Sequence, residues 1–128
     1  MKTHQSINMK KFLKLIFIFL FLYSCNWNKN GILVQIKNYS DEDIYNVSFS
    51  TNDSHINLNF ENIKSGHTVE EFLDMTNNTK SDGGYIMKFE NKNGDLKQIG
   101  GGYYTNGGSL NYLVVCEVKN DTVLLKFK

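Results

Sequence analysis

The 128-residue chain contains no arginine, no proline and no alanine. Without arginine there is no guanidinium fork to grip a phosphate or read a base edge. The 14 lysines are offset by 13 acidic residues, so no basic patch compensates and nucleic acid is excluded as a partner. Cysteine is almost absent, with Cys25 and Cys116 alone, and this rules out a disulfide framework. Helical patterning is also scarce: Asn, Gly, β-branched and aromatic residues dominate, and no long stretch after Cys25 repeats at 3.6. No serine sits in a G-x-S-x-G elbow. The glycine-rich stretch Gly100 to Ser109 is followed by no Gly-Lys-Ser/Thr, which removes a phosphate loop.

What is present begins with MKKFLKLIFIFLFLYSC from Met9. Lys10, Lys11 and Lys14 supply a positive end, and Leu15 to Leu22 is a run of eight apolar residues. That length suits a secretory h-region and falls short of the about 20 residues a membrane span needs. Met1 to Asn8 is polar: either an extended n-region, or a stretch before a true start at Met9. The segment closes on Leu22-Tyr23-Ser24-Cys25, which resembles the lipobox of bacterial lipoproteins. There an apolar residue stands three before the cysteine, with small residues between; Tyr23 is larger than the usual occupant. The resemblance covers Met9 to Cys25 only. It implies diacylglycerol on the Cys25 thiol, cleavage before that residue and acylation of the new amino terminus. Two or more acyl chains anchor stably where one does not. Ordinary secretion with a free Cys25 and a retained membrane anchor are the competing readings.

On this reading residues 1–24 are a lipoprotein signal peptide, 25–31 the lipidated cysteine and a short tether, and 32–128 a single domain. Four lysines precede Cys25, so the remainder carries 10 against 13 acidic residues, a net charge of about −3. Trp27, near the lipid, suits the headgroup level. With Cys25 lipidated, Cys116 has no disulfide partner and reads as a small buried hydrophobe; pairing with Cys25 is the competitor.

Period-two alternation recurs through the domain, the mark of a pleated strand with one buried face. It appears at Ile32-Val34-Ile36, Tyr45-Val47-Phe49, Ile56-Leu58-Phe60, Tyr85-Met87-Phe89 and Val123-Leu125-Phe127. Leu110 to Val118 is apolar on both faces, as a central strand would be. His67 to Met75 is weaker, with a phase break at Glu70-Glu71 that predicts a bulge or short helical turn. Leu96 to Tyr104 is interrupted by glycines. Asn93-Gly94 and Asn120-Asp121 read as hairpin turns. The expected fold is all-β: a seven- to eight-stranded antiparallel sandwich, immunoglobulin-like or transthyretin-like, with a small barrel as runner-up.

The chemistry is sparse. His55 and His67 are the histidines of the domain, each at the start of an expected strand, and spacing suggests no triad. Asp41-Glu42-Asp43 lacks the spaced ligands of a calcium loop and reads as a solvated turn. Glu70, Glu71 and Asp74 show no acid–base pattern. No catalytic residue, metal or cofactor is expected. A binding groove or edge lined by Tyr85, Tyr103, Tyr104 and Tyr112 is the candidate site, since aromatic planes suit sugar stacking or a protein hot spot; the competing reading packs these tyrosines as sheet residues. The expected function is a non-catalytic, lipid-anchored protein of the bacterial cell envelope with an accessory, binding or structural role. Its partners are the membrane, through the lipid, and an envelope protein or glycan. Carbohydrate binding, adhesion or assembly by strand addition at an edge near Tyr103, and a small hydrolase using His55 or His67, are the alternatives.

Overall fold

The computed structural model describes residues 4–23 and 29–128. Cys25 and Trp27, on which the anchoring expectation draws, lie outside the described residues. A helix, α1 (His4–Tyr23), covers the segment read as an export signal. It holds no glycine or proline to interrupt it. Among the described residues no helix is long and apolar enough to cross a membrane.

Among the described residues nine strands follow: β1 (Gly31–Asn38), β2 (Ile44–Thr51), β3 (Asn57–Ile63), β4 (Thr68–Asp74), β5 (Gly83–Glu90), β6 (Leu96–Thr105), β7 (Gly108–Ser109), β8 (Leu113–Val118) and β9 (Val123–Phe127). They form two sheets in a sandwich-like arrangement, ordered β4-β1-β8-β9 and β3-β2-β5-β6-β7. The count exceeds the expected seven or eight because Gly108 and Ser109 pair with Thr105 and Tyr104 as a short extra strand. Two residues are too few to register as alternation.

The expectation of a wholly antiparallel sandwich is corrected at one ladder: β1 and β8 run parallel, from Leu33 beside Leu113 to Asn38 beside Val118. Alternation is the same in parallel and antiparallel strands, so periodicity cannot distinguish them. The expected irregularity at Glu70-Glu71 is also absent, since β4 pairs with β1 without a break from Asp74 to Thr68. Its phase fails for another reason. Val69, Glu71 and Leu73 pair with the inward Ile36, Val34 and Ile32, so Glu71 faces inward at the rim while Phe72 faces out. An inward charge on an edge strand discourages pairing with another chain. In β2 the register shifts between Tyr45 and Ser48, where Asn46 has φ 47°, and Tyr45 leaves the inward row to become exposed.

The core lies between the sheets. Ile32, Val34, Ile36, Val114, Cys116 and Val118 face Phe49, Tyr85, Met87 and Tyr104. Tyr85 is its hub: its ring stacks on Phe49 (5.5 Å) and Phe127 (5.7 Å) and meets Tyr104 edge-on (5.4 Å).

The ladders give the sandwich two ends. At the basal end β1 begins and the β2–β3, β4–β5 and β6–β8 connections gather. Met75 N donates to Asn30 O (2.7 Å), and Gly107 N donates to Ser81 O (2.8 Å). At the apical end the β1–β2, β3–β4, β5–β6 and β8–β9 connections meet. There Tyr39 N donates to Val118 O (2.8 Å), and Asn38 N donates to His67 O (2.9 Å).

Candidate functional site

The four candidate tyrosines divide into two pairs. Tyr85 and Tyr104 are each 1% exposed, whereas Tyr103 is 50% and Tyr112 72% exposed. The groove lined by all four is therefore corrected. Tyr85 and Tyr104 are inward-facing sheet residues, with no face left to stack on a ligand. The Tyr85 hydroxyl donates to Ser109 Oγ (2.9 Å) and that of Tyr104 to Asn52 Oδ1 (2.8 Å), so each ring reaches a polar partner at the basal rim. Burial pushes both phenols up from 10.0. On the surface, Tyr103 donates to Asp82 Oδ2 (2.7 Å). Tyr112 lies in the connection from β7 to β8, its carbonyl accepting from Leu33 N (3.0 Å).

The glycines around these tyrosines serve packing. β9 passes over β6, and a side chain on Gly102 would enter the Phe127 ring; one on Gly101 would press on Leu125. Gly102 has φ 71°, a conformation that side chains resist. Asn106-Gly107, both at positive φ, turn the chain into β7. The edge near Tyr103, considered for strand addition, is covered by β7 at Tyr104 and Thr105, and the β5–β6 register shifts between Gly83 and Tyr85. Both features work against an added strand.

A concave feature lies at the apical end of the sandwich. A cleft of about 470 Å³ opens between the β1–β2, β5–β6 and β8–β9 connections. Its floor is Ile44, Phe89, Ile99, Val118 and Val123, and its rim carries Glu42, Asp43, Lys97, Lys119, Asn120 and Asp121. Asn120 Nδ2 donates to Asp41 Oδ2 (2.9 Å) and Asp41 N to Asn120 Oδ1 (2.8 Å), clasping two of the loops. Glu42 pairs with Lys92 (2.9 Å) and Asp43 Oδ1 accepts from Ser65 N (2.9 Å). The carboxylates of Asp41-Glu42-Asp43 thus turn to three separate partners. Among the described residues no group of three or more His, Cys, Asp or Glu side chains is arranged to hold a metal. An apolar floor with a rim of mixed charge and amides suits a neutral or mixed-charge ligand.

This cleft escaped the sequence. Its residues come from segments spread between Ser40 and Val123, and no local pattern links them. Asn93-Gly94 and Asn120-Asp121 read only as turns, although turns that end neighbouring strands are where such a rim is built.

His55 and His67 do not converge. They lie in the β2–β3 and β3–β4 connections, at opposite ends of β3, which spans about 20 Å. Both are exposed and neither lines the cleft. Cys116 is a buried free cysteine, its thiol pushed up to about 12 by desolvation, consistent with a packing role.

No protein-family model matches the chain, and no curated protein matches it significantly. A solved structure does: the NMR structure of a protein from Eubacterium rectale, at a TM-score of 0.54 and 10% identity, over 80% of this chain and 93% of that one. At that identity the likeness concerns the fold alone.

Proposed function

We propose that the chain is a lipid-anchored protein of the bacterial envelope that acts by binding rather than catalysis, with the apical cleft as its binding surface. The observation that carries this reading is the polarity of the fold. Cys25 of the lipobox-like segment precedes Asn30 by five residues, and Asn30 joins the basal end, opposite the cleft. A bilayer held at the base leaves the cleft facing away from it. Against a small hydrolase stands the separation of the two histidines from each other and from the cleft lining. The floor offers Phe89, 6% exposed, as its one aromatic ring. This favours an envelope protein over a glycan, which would use exposed aromatic planes.

Within the β-sandwiches we infer the transthyretin-like arrangement. An immunoglobulin fold joins its first strand to its second within one sheet. Here β1 and β2 belong to different sheets, and β1 lies between β4 and a parallel β8.

Two measurements test the function. Radiolabelled palmitate should enter the protein in a bacterial host and be lost in Cys25→Ser; label retained by that variant overturns the anchor. A pull-down from solubilised envelope, with the protein held through its anchor, should enrich one protein, and Ile99→Glu in the cleft floor should abolish the enrichment. Equal enrichment by Ile99→Glu overturns the cleft as the binding surface, and a glycan in place of a protein overturns the partner class.

A further inference from the structure

The outer face of the β4-β1-β8-β9 sheet carries an apolar row where solvent-facing residues are expected. In β1 the inward residues are Ile32, Val34 and Ile36, so Leu33 points outward. Its lateral partners are Phe72 on β4 and Leu113 on β8. Directly paired residues share a face, so Phe72, Leu33 and Leu113 form one outward row across three strands. All three are partly exposed, and none belongs to the core between the sheets. At the same basal edge the β7–β8 connection exposes Leu110 (61%) and Tyr112 (72%), and Tyr112 O accepts from Leu33 N. Farther toward the apex the same face is mixed: Gln35 bonds Glu70 (3.0 Å) and Lys126 bonds Glu117 (3.0 Å) around Val115 and Leu124. Phe72, Leu33 and Leu113 make the unbroken apolar row, and it lies at the basal edge.

That edge is where the chain enters the domain. Asn30 immediately precedes β1, and Lys29 Nζ lies 6.0 Å from the centre of the Phe72 ring. Asn30 lies five residues on from Cys25, at most about 18 Å of extended chain. An acyl group on Cys25 therefore holds the basal edge within reach of the headgroup layer, whatever course the tether takes.

We propose that this row is a seat for the bilayer: Phe72, Leu33, Leu113, Leu110 and Tyr112 rest in the headgroup region beside the acylated cysteine and fix the tilt of the domain. The proposal rests on the lipid-anchor reading. It explains two features that the core does not require. The phase of β4 breaks because Phe72 serves the outer surface, and Leu110 and Tyr112 are exposed because their partner is lipid. Tyrosine suits that depth, with its ring among acyl chains and its hydroxyl in the wet layer. Lys29 beside the row matches anionic headgroups. Isolated apolar residues on a surface mean little, but a contiguous row at the point of tethering marks a contact.

The test uses the full chain expressed with its own leader segment in a bacterial host and purified from membranes. Palmitate label is scored on the same preparation. Tyr112→Trp and, as an apical control, Leu96→Trp (61% exposed in the native residue) are each made in a Trp27→Phe background, which removes the sole native tryptophan. Each is reconstituted into phosphatidylethanolamine–phosphatidylglycerol vesicles with brominated acyl chains. Quenching at position 112 should exceed that at 96 several-fold, and adding Phe72→Ser with Leu110→Ser should bring the two together while label is retained. Labelled protein with equal quenching at 112 and 96 overturns the seat and leaves the anchor standing. Protein without label overturns the anchor, and the seat with it.

Discussion

The two ends of this sandwich are closed by different physics. At the base, aromatic rings fill the space between the sheets. Tyr85 lies between Phe49 and Phe127, and Phe127 settles onto backbone that Gly101 and Gly102 leave bare. At the apex a buried amide ties the loops beside an apolar cleft floor. Asn38, fully buried, donates to Glu42 O (2.8 Å) and Ile63 O (3.0 Å) and accepts from Ser40 N (3.1 Å) and Ser40 Oγ (2.6 Å). Every hydrogen-bonding position of that amide is used. Ring packing fills the base, with hydrogen bonds at Asp82 and Asn78 tying its surface turns, whereas the Asn38 network holds the apical loops at set positions and leaves a cleft among them. Sealing one end and holding the other open lets a single small core support both a tethered face and a receptive one.

The largest expected effect comes from emptying the basal seal. Tyr85→Ala should lower stability by about 4 kcal/mol in chemical denaturation, because a buried ring with three aromatic neighbours leaves a void that sheets close only partly. A loss under about 1 kcal/mol would mean the base is not ring-packed. Gly102→Ala follows, at about 3 kcal/mol, from a left-handed φ together with intrusion on Phe127. Pairing Gly102→Ala with Phe127→Ala should recover part of that loss, since the ring then no longer occupies the space. Failure to recover would assign the cost to φ alone.

At the apex, Asn38→Ala should cost about 2 kcal/mol by stranding buried partners. Its signature differs from that of the basal variants. Amide exchange should accelerate in segments 39–43 and 64–67 and stay slow in β6 and at the basal turn 106–107. Uniform acceleration would erase the distinction between the ends.

How far the sequence carried this picture depends on whether the signal was local. Ile32-Val34-Ile36 and Ile56-Leu58-Phe60 alternate cleanly, and both stretches lie in or beside strands that face the core. β4 misled because Phe72 and Glu71 exchange the faces that burial alone would give them. β2 misled because Asn46 adopts a positive φ that shifts Tyr45 by one step. The tyrosines are the clearest case. A tyrosine in a strand reads the same whether its ring faces the core or the solvent, and Tyr103 and Tyr104 are neighbours with opposite fates. The cleft was illegible because its walls meet only once both sheets are stacked.

The smallest expected effect lies at the basal surface and is identified by its pH dependence. Asp82 accepts from Tyr103 Oη (2.7 Å), Thr105 Oγ1 (2.8 Å) and Asn106 N (2.9 Å), tying the β4–β5 connection to the β6–β7 turn. The Asn106 N–H, with the Tyr103 and Thr105 hydroxyls, lowers its carboxyl below 3.8, and the carboxylate in turn raises the Tyr103 phenol above 10.0. A depressed acid stabilises the fold above its unfolded value and loses that contribution as pH falls through the folded one; a raised phenol does so below its unfolded value and loses it as pH rises through the folded one. The stability gap between the native chain and Asp82→Asn should therefore be widest between 3.8 and 10.0, shrink as pH falls below that window and narrow by the Tyr103 share as pH rises above it. Urea midpoints measured for both proteins across that range check it. A gap that persists unchanged into acid would mean the carboxylate's charge contributes nothing, and the basal turn would then rest on neutral contacts such as the Gly107 N to Ser81 O bond.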